Sequence, residues 1–554
     1  MYAAPSQRAI YPCGVSMEKG FENESTYKKF LEMGKESEFD KLFDDAIIHV
    51  KREFGKDYPI FINGEAVKMP ETLEERSPID ASLIGKFQKG GRETARAAIA
   101  SAKAAFPAWS ETDYKERAGI MRTAADLFSK NKFRIAAILS IENGKSRYES
   151  IGEVDEAIDF LRYYSNEVIT NKGFVRKTKI IGSSKKTLGF QGSPGGSELI
   201  SIRMRPYGVF GVIAPFNFPI SISIGMSSGA LITGNTVVFK PSSTDNMTML
   251  TGFEIYKIFE SAGLPKGVFN FVTGPGSEVG DEISANPDVA GIAFTGSKGT
   301  GMGMISKSIN AGQHKVFVVE MGGKNPVIVS KHADIETALN GIVGAAFGYS
   351  GQKCSALSRV YVEKSIKDEF LSKLVERTRK LGIGDPLKKE NYIGPLISES
   401  AFNRYAKAID ESKRSGRLLY GGNRVRTSMN GFYVEPAVVE VNHDNPIMHT
   451  ELFAPILAVT TYEDIKNAVY MANDTEYGLC ASLYSKSRKE IDYFSANIRA
   501  GVVYINRLSS ATTGAIVGKH TFVGWKWSGL TGKGTGSKNY LQQFMREQSL
   551  SVSK

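Results

Sequence analysis

The chain has 554 residues, 42% of them hydrophobic and 23% charged, with a formal net charge of +11. That length exceeds one ordinary core, so two or three globular domains are expected. No apolar run reaches the ~20 residues of a membrane span, and the basic residues are interspersed with acidic ones, which excludes a massed nucleic-acid surface.

Met1–Gly20 lacks the apolar segment of a secretory signal, although Arg8 precedes the first acidic residue, Glu18, as in a weak transit peptide. The three cysteines, Cys13, Cys354 and Cys480, form no disulfide framework and suit a reducing, cytoplasmic compartment. The six histidines show no ligand spacing with them, so no metal is expected.

In chain order, Glu22–Phe54 carries a helical apolar stripe through Phe39, Leu42, Phe43, Ala46, Ile47 and Val50. Tyr58–Glu65 reads as a hairpin turning at Asn63-Gly64. Thr94–Ser110, Arg117–Glu142 and Glu153–Val168 are amphipathic helices. Gly173–Ser201 is rich in Lys, Gly and Ser and reads as an exposed arm, either pairing with another subunit or free at the surface.

Beyond it the rhythm becomes strand, turn, helix. Val209–Ala214 runs into Pro215-Phe-Asn-Phe-Pro219, and Thr236–Phe239 into Lys240-Pro-Ser-Ser243. Gly267–Val272 runs into Thr273-Gly-Pro-Gly276, and Val289–Phe294 into Thr295-Gly-Ser297. Such alternation implies a parallel sheet covered by helices, with ligand groups at the strands' carboxyl ends. A second α/β unit follows Lys324, with strands at Arg359–Val362, Ile456–Thr461, Ala481–Tyr484 and Val502–Ile505. Gly431–Val441 looks extended, and Asn539–Ser551 reads as a terminal strand docking on a neighbour.

Two stretches carry chemistry. Gly351-Gln-Lys-Cys354-Ser355 sets a cysteine among small residues, as an approachable nucleophile requires. Val316–Val319 ends in Glu320, followed by Met321-Gly322-Gly323-Lys324, which puts a carboxylate at a strand end facing a cleft. Asn217 either donates to an oxyanion at Cys354 or caps the next helix. Lys240 either meets a nucleotide or is surface charge. Thr295–Gly301 opens a helix whose free N–H groups suit a pyrophosphate, but no Gly-x-Gly-x-x-Gly follows the first strand.

The ordered set Pro215–Pro219, Phe239-Lys-Pro241, Phe294–Ser297, Glu320–Lys324, Gly351–Cys354 and Glu451-Leu-Phe-Ala-Pro455 resembles the aldehyde dehydrogenase superfamily over roughly residues 55 to 545. Within it, Gly351–Ser355, Thr513-Gly-Ala-Ile-Val-Gly518 and Glu156–Phe160 are similar to the L-glutamate γ-semialdehyde (1-pyrroline-5-carboxylate) dehydrogenase subgroup. The resemblance implies two Rossmann-like α/β domains, cofactor and catalytic, plus a small oligomerisation arm. Residues 1–54 would be a helical extension, 55–168 and 202–321 the dinucleotide-binding domain, and 322–505 the catalytic domain. Residues 169–201 with 535–554 would form the arm, and 506–534 the substrate anchor loop and return segment.

It also implies oxidation of an aldehyde with NAD or NADP. Cys354 would form a thiohemiacetal and then a thioester, Asn217 would hold the oxyanion and Glu320 would activate water. Cofactor contacts would come from Ile213, Pro215, Lys240, Ser243, Gly276, Gly280, Phe294, Gly296, Ser297, Gly301, Gly322, Glu451 and Phe453. Ser355, Gly514 and Ala515 would bind the substrate carboxylate, Phe218 and Phe522 would wall its aliphatic chain, and Glu156 would face its ammonium or be a helix-surface charge. The implied partners are a small aldehyde and further copies of the chain built from dimers, with no nucleic acid and no membrane.

Three departures matter. His520-Thr-Phe-Val-Gly524 replaces the subgroup's Gln-Pro-Phe-Gly-Gly, the loop before Thr513 is longer, and Ser243 stands where many NAD enzymes carry Glu. Serine removes the repulsion of a 2′-phosphate, which opens the site to NADP. Another small semialdehyde, such as succinic semialdehyde, is the alternative substrate. A catalytically silent structural protein is the remote alternative, disfavoured by the presence of Cys354, Glu320 and Asn217 together.

Overall fold

The computed structural model describes residues 21–180 and 198–553. The reading of Met1–Gly20, Cys13 and the middle of the Gly173–Ser201 arm lie outside those residues.

A seven-stranded sheet carries the strand–turn–helix rhythm. β1 (Ile60–Ile62) and β2 (Glu65–Val67) form the expected hairpin, with Asn63 and Gly64 at φ 55° and 74°, as a tight two-residue turn requires. β3 (Val209–Ile213), β4 (Thr236–Lys240), β5 (Phe269–Phe271), β6 (Val289–Thr295) and β7 (Val316–Glu320) follow. They lie parallel in the order β7-β6-β3-β4-β5, and the hairpin joins antiparallel beyond β5. Register aligns the strand ends: Ile213 opposes Lys240 and Phe294, and Thr295 opposes Glu320. The polar strand-end residues therefore stand side by side, where open α/β sheets bind ligands.

Only Met321–Lys324 separates this sheet from the next. β8 (Asn325–Val329), β9 (Leu357–Glu363), β10 (Arg417–Tyr420), β11 (Ala437–Glu440), β12 (Ile456–Tyr462), β13 (Cys480–Tyr484) and β14 (Val502–Ile505) build it. The order is β10-β11-β12-β9-β8-β13-β14, parallel except for the edge strand β10. Its strands are almost wholly apolar because helices cover them; Leu339, Ile342 and Ala346 of the helix Ile335–Phe347 pack in one core with Val327 and Val360.

A third, three-stranded antiparallel sheet joins Val175–Ile180, Glu198–Pro206 and Met545–Ser553. The terminal strand pairs with Glu198–Pro206 of its own chain. Other sequence readings shift at turn residues. The Glu22–Phe54 stripe breaks at Gly34 (φ 65°) into Thr26–Glu32 and Glu36–Lys51. Arg117–Glu142 divides at Asn131 into Tyr114–Lys130 and Lys132–Asn143. Within Gly431–Val441 only β11 pairs as a strand. No helix among the described residues is long and apolar enough to cross a membrane.

Arg359, fully buried on β9, anchors the junction between the two large sheets. Its guanidinium donates to the Lys324 carbonyl (2.9 Å), the Ala472 carbonyl (2.8 Å) and the Tyr361 hydroxyl (3.0 Å). Arg359→Met strands those buried acceptors and should lower stability by about 3 kcal/mol, read by denaturant unfolding.

Candidate active site

The helix Ile335–Phe347 runs into an unusual turn. Tyr349, Ser350 and Gly351 are consecutive left-handed residues, at φ 51°, 54° and 67°. The first two carry side chains, so each costs on the order of 1 kcal/mol or more. Local hydrogen bonds hold them: Ser350 Oγ donates to the Gly394 carbonyl (2.8 Å), and Gln352 Oε1 accepts the Ile397 N–H (2.9 Å). Gly351 is required sterically as well, since a Cβ there would stand 2.6 Å from the Ala454 carbonyl. The turn delivers Cys354, and Asn325 at the start of β8 fixes it. Asn325 Nδ2 donates to the carbonyls of Cys354 and Ala356 (both 2.8 Å), while its Oδ1 accepts the Cys480 N–H (2.9 Å).

Glu320, the last residue of β7, accepts a hydrogen bond from Thr535 Oγ1 at 2.7 Å. Burial pushes its carboxyl up to about 7, and the Thr535 bond partly opposes that rise. Burial also pushes the Cys354 thiol well above its ordinary value; the Glu320 carboxylate adds to this and the Ser355 N–H opposes it. Asn217 is buried in the Pro215–Pro219 turn. The Cys354 N–H has no backbone hydrogen-bond partner among the described residues.

Cys354 and Glu320 line one cavity of about 1030 Å³, and all six residues expected to hold substrate line it too: Ser355, Gly514, Ala515, Phe218, Phe522 and Glu156. Thr512 Oγ1 donates to the Ser355 carbonyl (2.7 Å), tying the segment before Gly514 to the Cys354 turn. Arg507 binds the carbonyls of Thr513 and Gly514, leaving the Gly514 and Ala515 N–H groups without partners among the described residues. Phe522 lines the cavity within the altered flanking sequence and bridges Thr535. Burial pushes Glu156 up to about 7, with Glu153 and Asp159 adding repulsion. Chain from the N-terminal extension closes one wall, where Asn23 Nδ2 donates to the Val517 carbonyl (3.0 Å) and to Asp159 (2.9 Å).

The residues expected to contact cofactor spread over more of the surface. Phe294 lines the cavity with Cys354, whereas Ser297 and Glu451 line a second cavity of about 760 Å³. Glu451 accepts the Gly323 N–H at 2.8 Å, and its carboxylate lies against Gly322 (φ 83°), where a Cβ would collide with it. Phe453 sits at φ 56° and meets the Phe216 ring edge-on, 5.7 Å between centroids. Ser297 caps the helix Lys298–Asn310; Gly296 and Gly301 lie against Phe294 and Met321. Ile213, Pro215, Lys240, Ser243, Gly276 and Gly280 line neither cavity. Ile213 and Lys240 end adjacent strands, and Gly276 and Gly280 bound the turn after β5. Burial pushes Lys240 down to about 8, and its ammonium donates to the Pro241 carbonyl (3.2 Å), as does Ser243 (3.0 Å).

Sequence reasoning missed Asn325, Thr535, Arg507 and a buried Lys145–Glu153 pair. Only Asn325 carried a usable signal, its position directly after Gly-Gly-Lys at a strand start. His443, His449 and Asp474 also converge, with ligand atoms within 4.8 Å of one another, although their spacing suggested no cluster.

Residues 66–550 match the model of the aldehyde dehydrogenase family, and the chain belongs to that family. It is an NAD(P)-dependent oxidoreductase. It is similar to 1-pyrroline-5-carboxylate dehydrogenase 1 of Halalkalibacterium halodurans, 37% identical over 518 residues that cover 92% of this chain and 96% of the relative. A solved 1-pyrroline-5-carboxylate dehydrogenase from Thermus with bound NAD superposes with a TM-score of 0.87 at 32% identity, covering 97% of this chain and all of that one. Proline utilization A from Bdellovibrio bacteriovorus gives the same TM-score and identity over 96% of this chain, which spans 53% of that longer protein.

Because the Glu320 carboxylate helps to hold the Cys354 thiol protonated, Glu320→Gln should raise the thiolate fraction. Iodoacetamide at pH 8 should then alkylate Cys354 severalfold faster than in the unmodified protein, read as peptide mass against time.

Proposed function

We propose that this chain oxidises L-glutamate γ-semialdehyde to L-glutamate, a step of proline catabolism, with NAD or NADP as acceptor; relatives named 1-pyrroline-5-carboxylate dehydrogenase support the reading. The observation that carries the reading is that Cys354, Glu320 and the six expected substrate contacts line one cavity. Glu156 favours a substrate bearing an ammonium group, and the free N–H groups of Gly514 and Ala515 favour one bearing a carboxylate. Succinic semialdehyde offers the carboxylate alone.

The proposed chemistry follows from the groups present. Cys354 gives up its proton, for which Glu320, near 7, is the carboxylate in the same cavity. The thiolate adds to the aldehyde carbon, and the oxyanion formed receives the Asn217 amide and the Cys354 N–H. A bound nicotinamide would supply the hydride acceptor. Glu320 first releases the thiol proton to solvent; water then attacks the thioester at Cys354 while its proton passes to the Glu320 carboxylate, which frees the acid and the thiolate. The polar strand ends around Lys240, the N–H groups opening the helix Lys298–Asn310 and the Glu451 carboxylate suit the phosphates and hydroxyls of a dinucleotide.

Residues 55–168 with 202–321 are proposed as the cofactor domain and 322–505 as the catalytic domain. Residues 1–54 are the helical extension, 506–534 the anchor loop with its return segment, and 169–201 with 535–554 the arm. Val175, Leu199, Leu550 and Val552 are exposed apolar residues that register puts on one face of the three-stranded sheet, which supports assembly of copies through that arm. The free thiols of Cys354 and Cys480 support a reducing, cytoplasmic setting.

Steady-state turnover on both semialdehydes with NAD and with NADP tests the substrate. Glutamate semialdehyde should show the higher kcat/KM by at least about tenfold; a preference for succinic semialdehyde contradicts the assignment. Thr535→Val removes a hydrogen bond that favours the charged form of Glu320, so its carboxyl must titrate above 7. The acid limb of kcat against pH should then move up by roughly half to one pH unit.

A further inference from the structure

We propose that Lys145 is a positioning residue which, through a buried ion pair with Glu153, locks the turn carrying Asn217 to the loop carrying Cys354. This inference rests on the roles assigned above to those two residues.

Both side chains of the pair are fully excluded from solvent. Gly144 ends the helix Lys132–Asn143 in a left-handed cap (φ 77°), and the next residue, Lys145, turns into the protein. Its ammonium does not line the substrate cavity. It lies 3.5 Å from the centroid of the Phe218 ring and 5.0 Å from that of Tyr349. Phe218 directly follows Asn217, and Tyr349 opens the left-handed run that leads to Cys354. One cation therefore contacts an aromatic face from each loop while pairing with a single carboxylate.

Glu153 completes the lock. One of its oxygens binds Lys145; the other accepts the N–H groups of Ile220 (2.8 Å) and Ser221 (3.3 Å), where the helix Ser221–Ile232 begins. The carboxylate thus also meets the positive end of that helix, three residues beyond Asn217. One turn earlier on the same helix, Glu149 pairs with Lys353, the residue before Cys354. Positions 149 and 153 share one face, so the helix Arg147–Thr170 grips both loops along one stripe. Desolvation offsets much of the attraction in such a pair, so its net contribution to stability is small. Its yield is geometry: neither loop can slide without parting a buried charge from the ring or N–H groups it contacts.

The test compares Lys145→Met with Lys145→Met/Glu153→Gln, in which no buried charge is left alone. The double variant should regain the thermal midpoint lost in the single one. Its pre-steady-state burst of NADH should still be slower than in the unmodified enzyme by about 10- to 100-fold, with KM for the aldehyde and Kd for NAD changed less than about threefold. A folded double variant with an unmodified burst rate overturns the proposal. If that variant does not fold, Glu153→Asp, which keeps both charges and retracts the carboxylate by one methylene, carries the same two outcomes. Cys354→Ser runs alongside: turnover retained there removes the underlying reading, whereas a burst lost there and unchanged in the double variant removes only the role of Lys145.

Discussion

The carboxamide of Asn325 is the contact on which the site's geometry depends. It sits at the first residue of β8, and Glu320 is the last residue of β7, so only the four residues Met321–Lys324 separate them. Through three hydrogen bonds the amide holds the Cys354 turn and the start of β13. Cys354 lies in the turn before β9 and Glu320 ends β7 in the other sheet, yet one short crossover fixes both. The crossover is itself pinned, by Glu451 at Gly323 and by Arg359 at Lys324. An amide suits this task because it donates and accepts without carrying charge into a dry interior.

Exclusion of water is the second constraint, and it acts in opposite directions on different groups. Burial brings the carboxyls of Glu320 and Glu156 up to about 7 and the Lys324 ammonium down to about 7. The same burial opposes ionisation of the Cys354 thiol. A carboxyl held near neutrality in the same cavity as a reluctant thiol is a coherent pair, because the carboxylate that destabilises the thiolate is also able to receive its proton. Thr535 tunes that balance from 215 positions further along the chain.

Most strands of the two large sheets were legible in the sequence because apolar runs of strand length ended in glycine, proline or a polar side chain; β8 and β10 were not. Cys354 and Glu320 were legible for the same reason, each lying beside glycines at an element's edge. The break at Asn131 was hidden because the apolar stripe continues across it into the next helix. Lys145 and Glu153 were hidden because a lysine and a glutamate eight positions apart read like any solvated helix face; only folding shows that both are fully buried. Thr535 and Arg507 act over contacts that no local pattern encodes. The change at His520–Gly524 looked disruptive, yet Phe522 lines the cavity and bridges Thr535.

The most direct test of the central claim is the covalent state of Cys354 during turnover. Glu320→Gln, mixed with glutamate semialdehyde and NAD and quenched in acid within one turnover, should yield a Cys354 peptide heavier by the acyl group: without the Glu320 charge the thiol is easier to ionise and loses its proton to solvent, so the thioester forms but is not hydrolysed. An unmodified Cys354 peptide alongside stoichiometric NADH, or an acyl group on Cys480, would contradict the account.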